Sequence, residues 1–475
     1  GSYATIEPIR NALIDFKNSG KPIIAHGNSI SQPAYYLASV SDTICLTPTG
    51  DLEFKGLSTQ LSFFKKTLDK LDIEAQVIKV GKFKSAVEPF VLEEMSAENK
   101  EQVSSFVNSI NKYLLKGIAV SRNVESEKVN FISENMLVQS PEDAVSYGLI
   151  DKLLYEVDVL EQLKDVTGRK TLKTISLKKY SKVARNNGPY TSNRIAVIYA
   201  IGDINGGKGS TTNIGKDNIV DAIRKARNSS SVKAIVMRVN SPGGSALISD
   251  LIWKEIELAK TQKPVVVSYG RYAASGGYYI SCGANKIYSE PTTLTGSIGV
   301  FALIPNLQKF FDNKLGISFD GVKTGKYSDF ITTSRPLTFS EKAILQKQVN
   351  HVYETFVNYV VDGRNMSFEE VDAIGQGRVW SGIQAKALGL VDELGGLEDA
   401  IVSASQLAEI DKYRIIEYPK VKEPFEELLE TLQEDLSVKI FSEDVENVFS
   451  YYDKVLKIVK SNEVQARLPF EIEMH

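Results

Sequence analysis

Apolar residues recur along this chain with two different periods. After residue 244, Ile248, Leu251, Ile252, Ile256 and Ala259 form a stripe with the 3.6-residue spacing of an amphipathic helix. Around it lie short apolar, β-branched runs at 195–199, 234–239, 265–270 (VVVSYG) and 286–290 (KIYSE). Such runs alternating with helices predict a largely parallel sheet covered on both faces. A later helix turns Leu345, Val349, Val352 and Phe356 inward. Near the end, Phe425, Leu428, Leu429, Leu432 and Leu436 mark another helix, and a further apolar-patterned stretch runs to about residue 458.

The pattern is written twice. GSYATIEPIRNALIDFKNSGKPIIAHG from Gly1 aligns with GSALISDLIWKEIELAKTQKPVVVSYG from Gly244, an offset of 243. In that register Gly27 meets Gly270, Tyr35 and Tyr36 meet Tyr278 and Tyr279, and Pro48 meets Pro291. VGKFKSAVEPF then falls over TGKYSDFITTS, and GLID at 148–151 over GLVD at 389–392. The period is too long for a solenoid. The chain is therefore read as two related α/β domains. The first copy has no counterpart of the strands before Gly244, so the natural protein is expected to be longer. The expected boundaries are a first domain over 1–168, a linker over 169–193, a second domain over 194–412 and a C-terminal helical extension over 413–475.

Composition narrows the function. With 56 basic and 59 acidic residues the chain lacks the basic excess of a nucleic-acid binder. Residues 169–185 carry seven basic side chains and no acidic one, which reads as a solvated linker. No run approaches the ~18 apolar residues of a membrane span. Two cysteines, Cys45 and Cys282, make neither a disulfide framework nor a metal site and are expected to be buried small hydrophobes. No metal and no cofactor is expected.

Candidate chemistry centres on ASGGYYIS, residues 274–281. Ser275 follows a strand and precedes two glycines, which places its hydroxyl at a helix start among unpaired N–H groups. The loop NSPGGS, residues 240–245, ends a neighbouring strand with Gly243 and Gly244, whose backbone can approach a ligand closely. A serine nucleophile needs a base. His351 groups with polar Gln348, Glu354 and Thr355, His26 suits a core or loop position, and His475 is terminal. Lysine is the other usual base, provided burial lowers its pKa. The copies differ reciprocally: Gln32 stands where the second copy has Ser275, and Ser328 stands where the first has Lys84. Each half keeps one member of a Ser/Lys pair, which points to a site shared between domains or subunits.

At GKFKSAVEPF, NSPGGS, ASGGYYIS and PTTLTGSIGVF the chain resembles the signal peptide peptidase A (protease IV) family in its long tandem form. The resemblance implies two crotonase/Clp-protease-like domains and a split Ser/Lys dyad, with Ser275 as nucleophile and Lys84 as general base. It further implies an oxyanion hole from Gly243, Gly244 and Gly276, and Ser297 hydrogen-bonded to the lysine. It also implies signal peptides and similar apolar peptides as substrates, a homo-oligomer, most simply a tetramer, and attachment to the bacterial inner membrane, on its extracytoplasmic side, through a segment absent from this chain. The alternatives are a crotonase-fold acyl-CoA enzyme and a non-catalytic scaffold.

Overall fold

The computed structural model describes residues 2–181, 183, 191–419 and 464–468. In the second half, apolar strands lie side by side in parallel, in the order Arg414–Tyr418, Arg194–Ile201, Val232–Ser241, Val265–Ala274 and Leu294–Gly296, and Val379–Ser381 closes the edge antiparallel. Ile195, Val197, Ile235, Val236, Val265 and Val267 are buried on both faces of this sheet. That two-sided burial explains why these strands read as continuous apolar runs rather than alternating ones. The helices Lys216–Asn228 and Ala246–Lys260 pack one against the other and bring Ile219, Ile223, Ile252 and Ile256 into the same core.

The first half is a smaller copy. Ile24–Ile30, Thr43–Leu52 and Lys152–Leu153 form a three-stranded parallel sheet. The repeat persists in side-chain detail. Helices Ala97–Arg122 and Phe339–Arg364 are both 26 residues long and both end at a left-handed asparagine, Asn123 and Asn365. Tyr35 donates to Leu149 O at 2.7 Å, and its counterpart Tyr278 donates to Leu390 O at 2.9 Å. Arg122 pairs with Asp151 as Arg364 pairs with Asp392, and each aspartate also accepts from a strand N–H, Ile44 or Ile287.

The halves are joined where the chemistry lies. Strand Glu74–Val80 of the first half pairs along its length with Val300–Asn306 of the second. This pair belongs to a second sheet, ordered Glu74–Val80, Val300–Asn306, Gln465–Arg467, Gly243–Ser245, Asp203–Ile204 and Asn213–Ile214. Tyr272, Ala274, Leu294 and Val379 pack into the core of the first half. The described parts of the segment after residue 412 are strands: Arg414–Tyr418 extends the large sheet and Gln465–Arg467 the small one. The helix expected over 425–436 and the stretch to 458 lie outside the described residues, as do His475 and part of the 169–193 linker. Cys45 and Cys282 are free and buried. Among the described residues no helix is long and apolar enough to cross a membrane.

Candidate functional site

Two neighbouring strands end together and make the site. Ala274 pairs with Gly296 in the parallel ladder, so Ser275 and Ser297 are the next residues on adjacent strands. Both leave their strands with positive φ, 55° at Ser275 and 51° at Ser297. Non-glycine residues seldom adopt that conformation, which costs of order 1–3 kcal/mol and recurs at functional sites. Ser275 N–H donates to Gly296 O at 2.8 Å, fixing the turn. Its side chain makes no capping bond to the helix Gly276–Tyr279, so the hydroxyl is not spent on local structure.

Lys84 enters from the first half. Its Nζ lies 2.8 Å from Ser275 Oγ, 3.0 Å from Ser297 Oγ and 3.1 Å from Ser297 O. Lys84, Ser275 and Ser297 are all fully buried. Burial holds the lysine pKa well below its ordinary value, with no carboxylate nearby to raise it. In this structure both residues belong to the same chain. In the second copy the position of Lys84 is held by Ser328, which is exposed. In the first copy the position of Ser275 is held by Gln32, whose Oε1 accepts from the backbone of Lys55 and Gly56 and whose Nε2 donates to Gly56 O.

The glycines divide their roles. Gly244 has φ 153° and Gly243 φ 103°. The Gly243 N–H donates to Ser241 Oγ at 3.2 Å. What Gly243 supplies is space, since a Cβ there would stand 2.1 Å from Ala466 O. The Gly244 N–H faces the tail strand Gln465–Arg467, and Gly276 opens a short helix whose first N–H groups have no intrahelical partner. His351 is exposed, and His26 Nε2 bonds the Leu154 carbonyl, so neither reaches the serine.

Several residues that hold the lysine were not foreseen. Phe83 N–H donates to Gln376 O at 2.9 Å, and Ser297 N–H donates to Arg378 O at 2.7 Å, so residues 376–378 tie both sides of the site. Between them Gly377 has φ 80°, and a Cβ there would collide with the Lys84 backbone at 2.6 Å; Gly299 leaves room for Lys84 Cδ. Gln102, fully buried, donates to Phe83 O and Ser85 Oγ and accepts from Val379 N. The one sequence signal was the glycine-bearing run GQGR at 375–378.

The chain is similar to known peptidases. The family described as Peptidase family S49 matches residues 15–170 and 257–411, one segment in each half. "Protease 4" of Salmonella typhi is 37% identical over 420 residues, covering 86% of this chain and 68% of that protein. "Protease 4" of Haemophilus influenzae is 36% identical, covering 84% and 67%. "Serine protease SPPA, chloroplastic" of Arabidopsis thaliana is 36% identical, covering 86% of this chain and 61% of its own length.

Proposed function

The chain belongs to peptidase family S49, and from that membership we propose that it hydrolyses peptide bonds with Ser275 as nucleophile and Lys84 as general base. The observation that carries this reading is the Lys84 Nζ–Ser275 Oγ distance of 2.8 Å in a fully buried setting. A neutral amine has two N–H bonds and one lone pair. The two acceptors of Ser297 take the N–H bonds and leave the lone pair toward the Ser275 hydroxyl. The alkoxide attacks the peptide carbonyl, and the N–H groups of Gly244 and Gly276 stabilise the oxyanion. Lys84 gives its proton to the leaving amine. Water then attacks the acyl-enzyme with Lys84 again as base.

The substrates are extended apolar peptides, with cleaved signal peptides as the biological class. Support comes from the strands beside the serine, Gly243–Ser245 and Val300–Asn306, between which an extended segment, here Gln465–Arg467, is added as an antiparallel strand. The family resemblance adds a homotetramer at the bacterial inner membrane, with the site on the extracytoplasmic side.

The test is direct. Ser275→Ala and Lys84→Ala lower hydrolysis of a fluorogenic apolar peptide by about 10²–10⁴-fold or more, with the folded spectrum retained, and a serine-reactive phosphonate labels wild type at Ser275. Robust turnover by Lys84→Ala at neutral pH, or no labelling of Ser275, overturns the assignment. An acyl-CoA enzyme or a scaffold would be unlabelled.

A further inference from the structure

One turn of the second half touches both sides of the lysine. Residues 376–378 run between the helix Phe368–Ile374 and the strand Val379–Ser381. Gln376 O accepts from Phe83 N–H at 2.9 Å, Gly377 N–H donates to Ile298 O at 2.7 Å, and Arg378 O accepts from Ser297 N–H at 2.7 Å. The turn is itself tied down. Gln376 Nε2 donates to Asp372 Oδ1 at 2.5 Å. Tyr353 Oη accepts from Gln376 N–H at 3.3 Å and donates to the same aspartate oxygen. The backbone of this turn therefore fixes the residue before Lys84 and also Ser297, whose two oxygens accept from the lysine.

The Arg378 side chain takes no part in those bonds, yet it meets the same loop. Its guanidinium carbon stands 4.6 Å from the centre of the Phe83 ring and 4.5 Å from that of the Trp380 ring. Trp380 Nε1 donates to Ile374 O at 2.9 Å, which fixes that ring within the second half. Phe83 is buried, belongs to the first half and immediately precedes Lys84. Arg378 thus joins one ring on each side of the junction. Its Nη1 pairs with Glu101 at 2.9 Å, but that carboxylate is 57% exposed, and such a pair contributes little. Its Nε is buried without a hydrogen-bond partner. An arginine held in this way works through its flat faces, because a guanidinium is weakly hydrated and stacks on aromatic rings, whereas an ammonium is compact and strongly hydrated.

We propose that Arg378 is a positioning residue for the reaction: its guanidinium, stacked on Phe83 and Trp380, holds the loop that aims Lys84 Nζ at the Ser275 hydroxyl. The inference rests on the dyad reading above. Arg378 acts through the ring of Phe83 rather than on the reacting atoms. Lys84 Nζ keeps three contacts at once, at 2.8, 3.0 and 3.1 Å, and a shift of about 1 Å in such a group can cost about 10²-fold in rate. Loosening the loop has a second consequence. Burial is what holds the lysine pKa down. The charged groups around the loop are Lys79, whose Nζ lies 3.5 Å from Lys84 O, Lys82 and Arg378 against the Phe83 ring, and Glu101 beyond Arg378. Water admitted by a loosened loop returns the lysine toward its ordinary value.

The experiment measures kcat, KM and the pH–rate profile of the full chain on the fluorogenic apolar peptide. Arg378→Met is expected to lower kcat about 10–100-fold, with KM within about twofold of wild type, and to move the rising limb of the profile to higher pH. Arg378→Lys keeps the charge without the flat stack and is expected to behave in the same way. Glu101→Gln keeps the stack and is expected to stay within about twofold of wild-type kcat. Phe83→Leu removes the other face of the contact, so combining it with Arg378→Lys is expected to cost little more than either alone. A lower melting temperature with kcat and profile unchanged means that Arg378 only braces the fold, and overturns the inference. Should Arg378→Met fail to fold, Arg378→Lys and its combination with Phe83→Leu decide: wild-type kcat in the first, or full additivity in the second, overturns the inference. A loss in Glu101→Gln as large as in Arg378→Met overturns it as well, because the ion pair and not the stack would then hold the loop. Inactive Lys84→Ala beside an unimpaired Arg378→Lys sinks this inference alone. Robust turnover by Lys84→Ala at neutral pH overturns the dyad reading and the inference with it.

Discussion

On the proposed mechanism, burying Lys84 as an amine destabilises the fold and supplies the base. Its pKa is lowered by burial, so between that lowered value and the ~10.4 of an unfolded lysine the unfolded chain binds the extra proton. Wild-type stability therefore rises with pH across that window. Lys84→Met is expected to be inactive yet more stable than wild type at pH 7, with the gap closing toward pH ~10; urea denaturation at both pH values measures it. Activity has the same sign. The rate rises with pH as Lys84 loses its proton, and a fall between about pH 6 and 9 in folded protein would mean that another group is the base. Glu290 provides the opposite case. It is buried, its Oε1 has no hydrogen-bond partner, and burial pushes its pKa up to about 7 despite Arg238. A raised carboxyl pKa favours the fold at low pH and loses that advantage as pH rises through about 7. Glu290→Gln is expected to stabilise the protein at pH 8 by up to about 3 kcal/mol and to make little difference at pH 4, as thermal unfolding would read.

At the scale of elements, the lysine loop depends on a helix that the repeat alone does not explain. Helices Ala97–Arg122 and Phe339–Arg364 correspond residue for residue, so Gln102 of the first matches Ile344 of the second. Only the copy that carries the lysine has the buried amide, which ties Phe83 O and Ser85 Oγ to Val379 N across the two halves. Gln102→Ala leaves a buried carbonyl and a buried N–H without this partner, at about 1–3 kcal/mol each. The expected result is a lower melting temperature together with a fall in kcat larger than any change in KM, because the base is displaced while the peptide edges remain. An unchanged kcat would show that the loop holds Lys84 without the helix. The strands, the repeat and the reciprocal Ser275/Lys84 difference were legible because each is written in local pattern or in comparison of one copy with the other. Gln102, residues 376–378 and Gln465–Arg467 were not. Their partners lie far away in sequence, and a three-residue strand such as QAR has too little pattern to be recognised alone.

For the whole molecule, the question is which chain supplies the base. A repeat with one catalytic group per copy allows the site to form between neighbouring subunits or within one chain. Here the connection is internal and extensive. Glu74–Val80 is paired along all its seven residues with Val300–Asn306, and Lys84 follows a short turn after it into the site. Tyr272 and Ala274, just before Ser275, are packed in the core of the first half. Exchanging one half for that of a neighbour would require breaking this ladder and opening that core together. A mixture of Ser275→Ala and Lys84→Ala proteins is therefore expected to stay inactive after subunit exchange, whatever the oligomer, because every site takes both groups from one chain. Exchange is verified by mass-tagged subunits, and activity is read with the same fluorogenic peptide. Recovery toward about a quarter of wild-type rate, what random pairing of complementary chains in equal amounts would restore, would mean that the dyad assembles between chains and that the internal ladder yields to a swapped one.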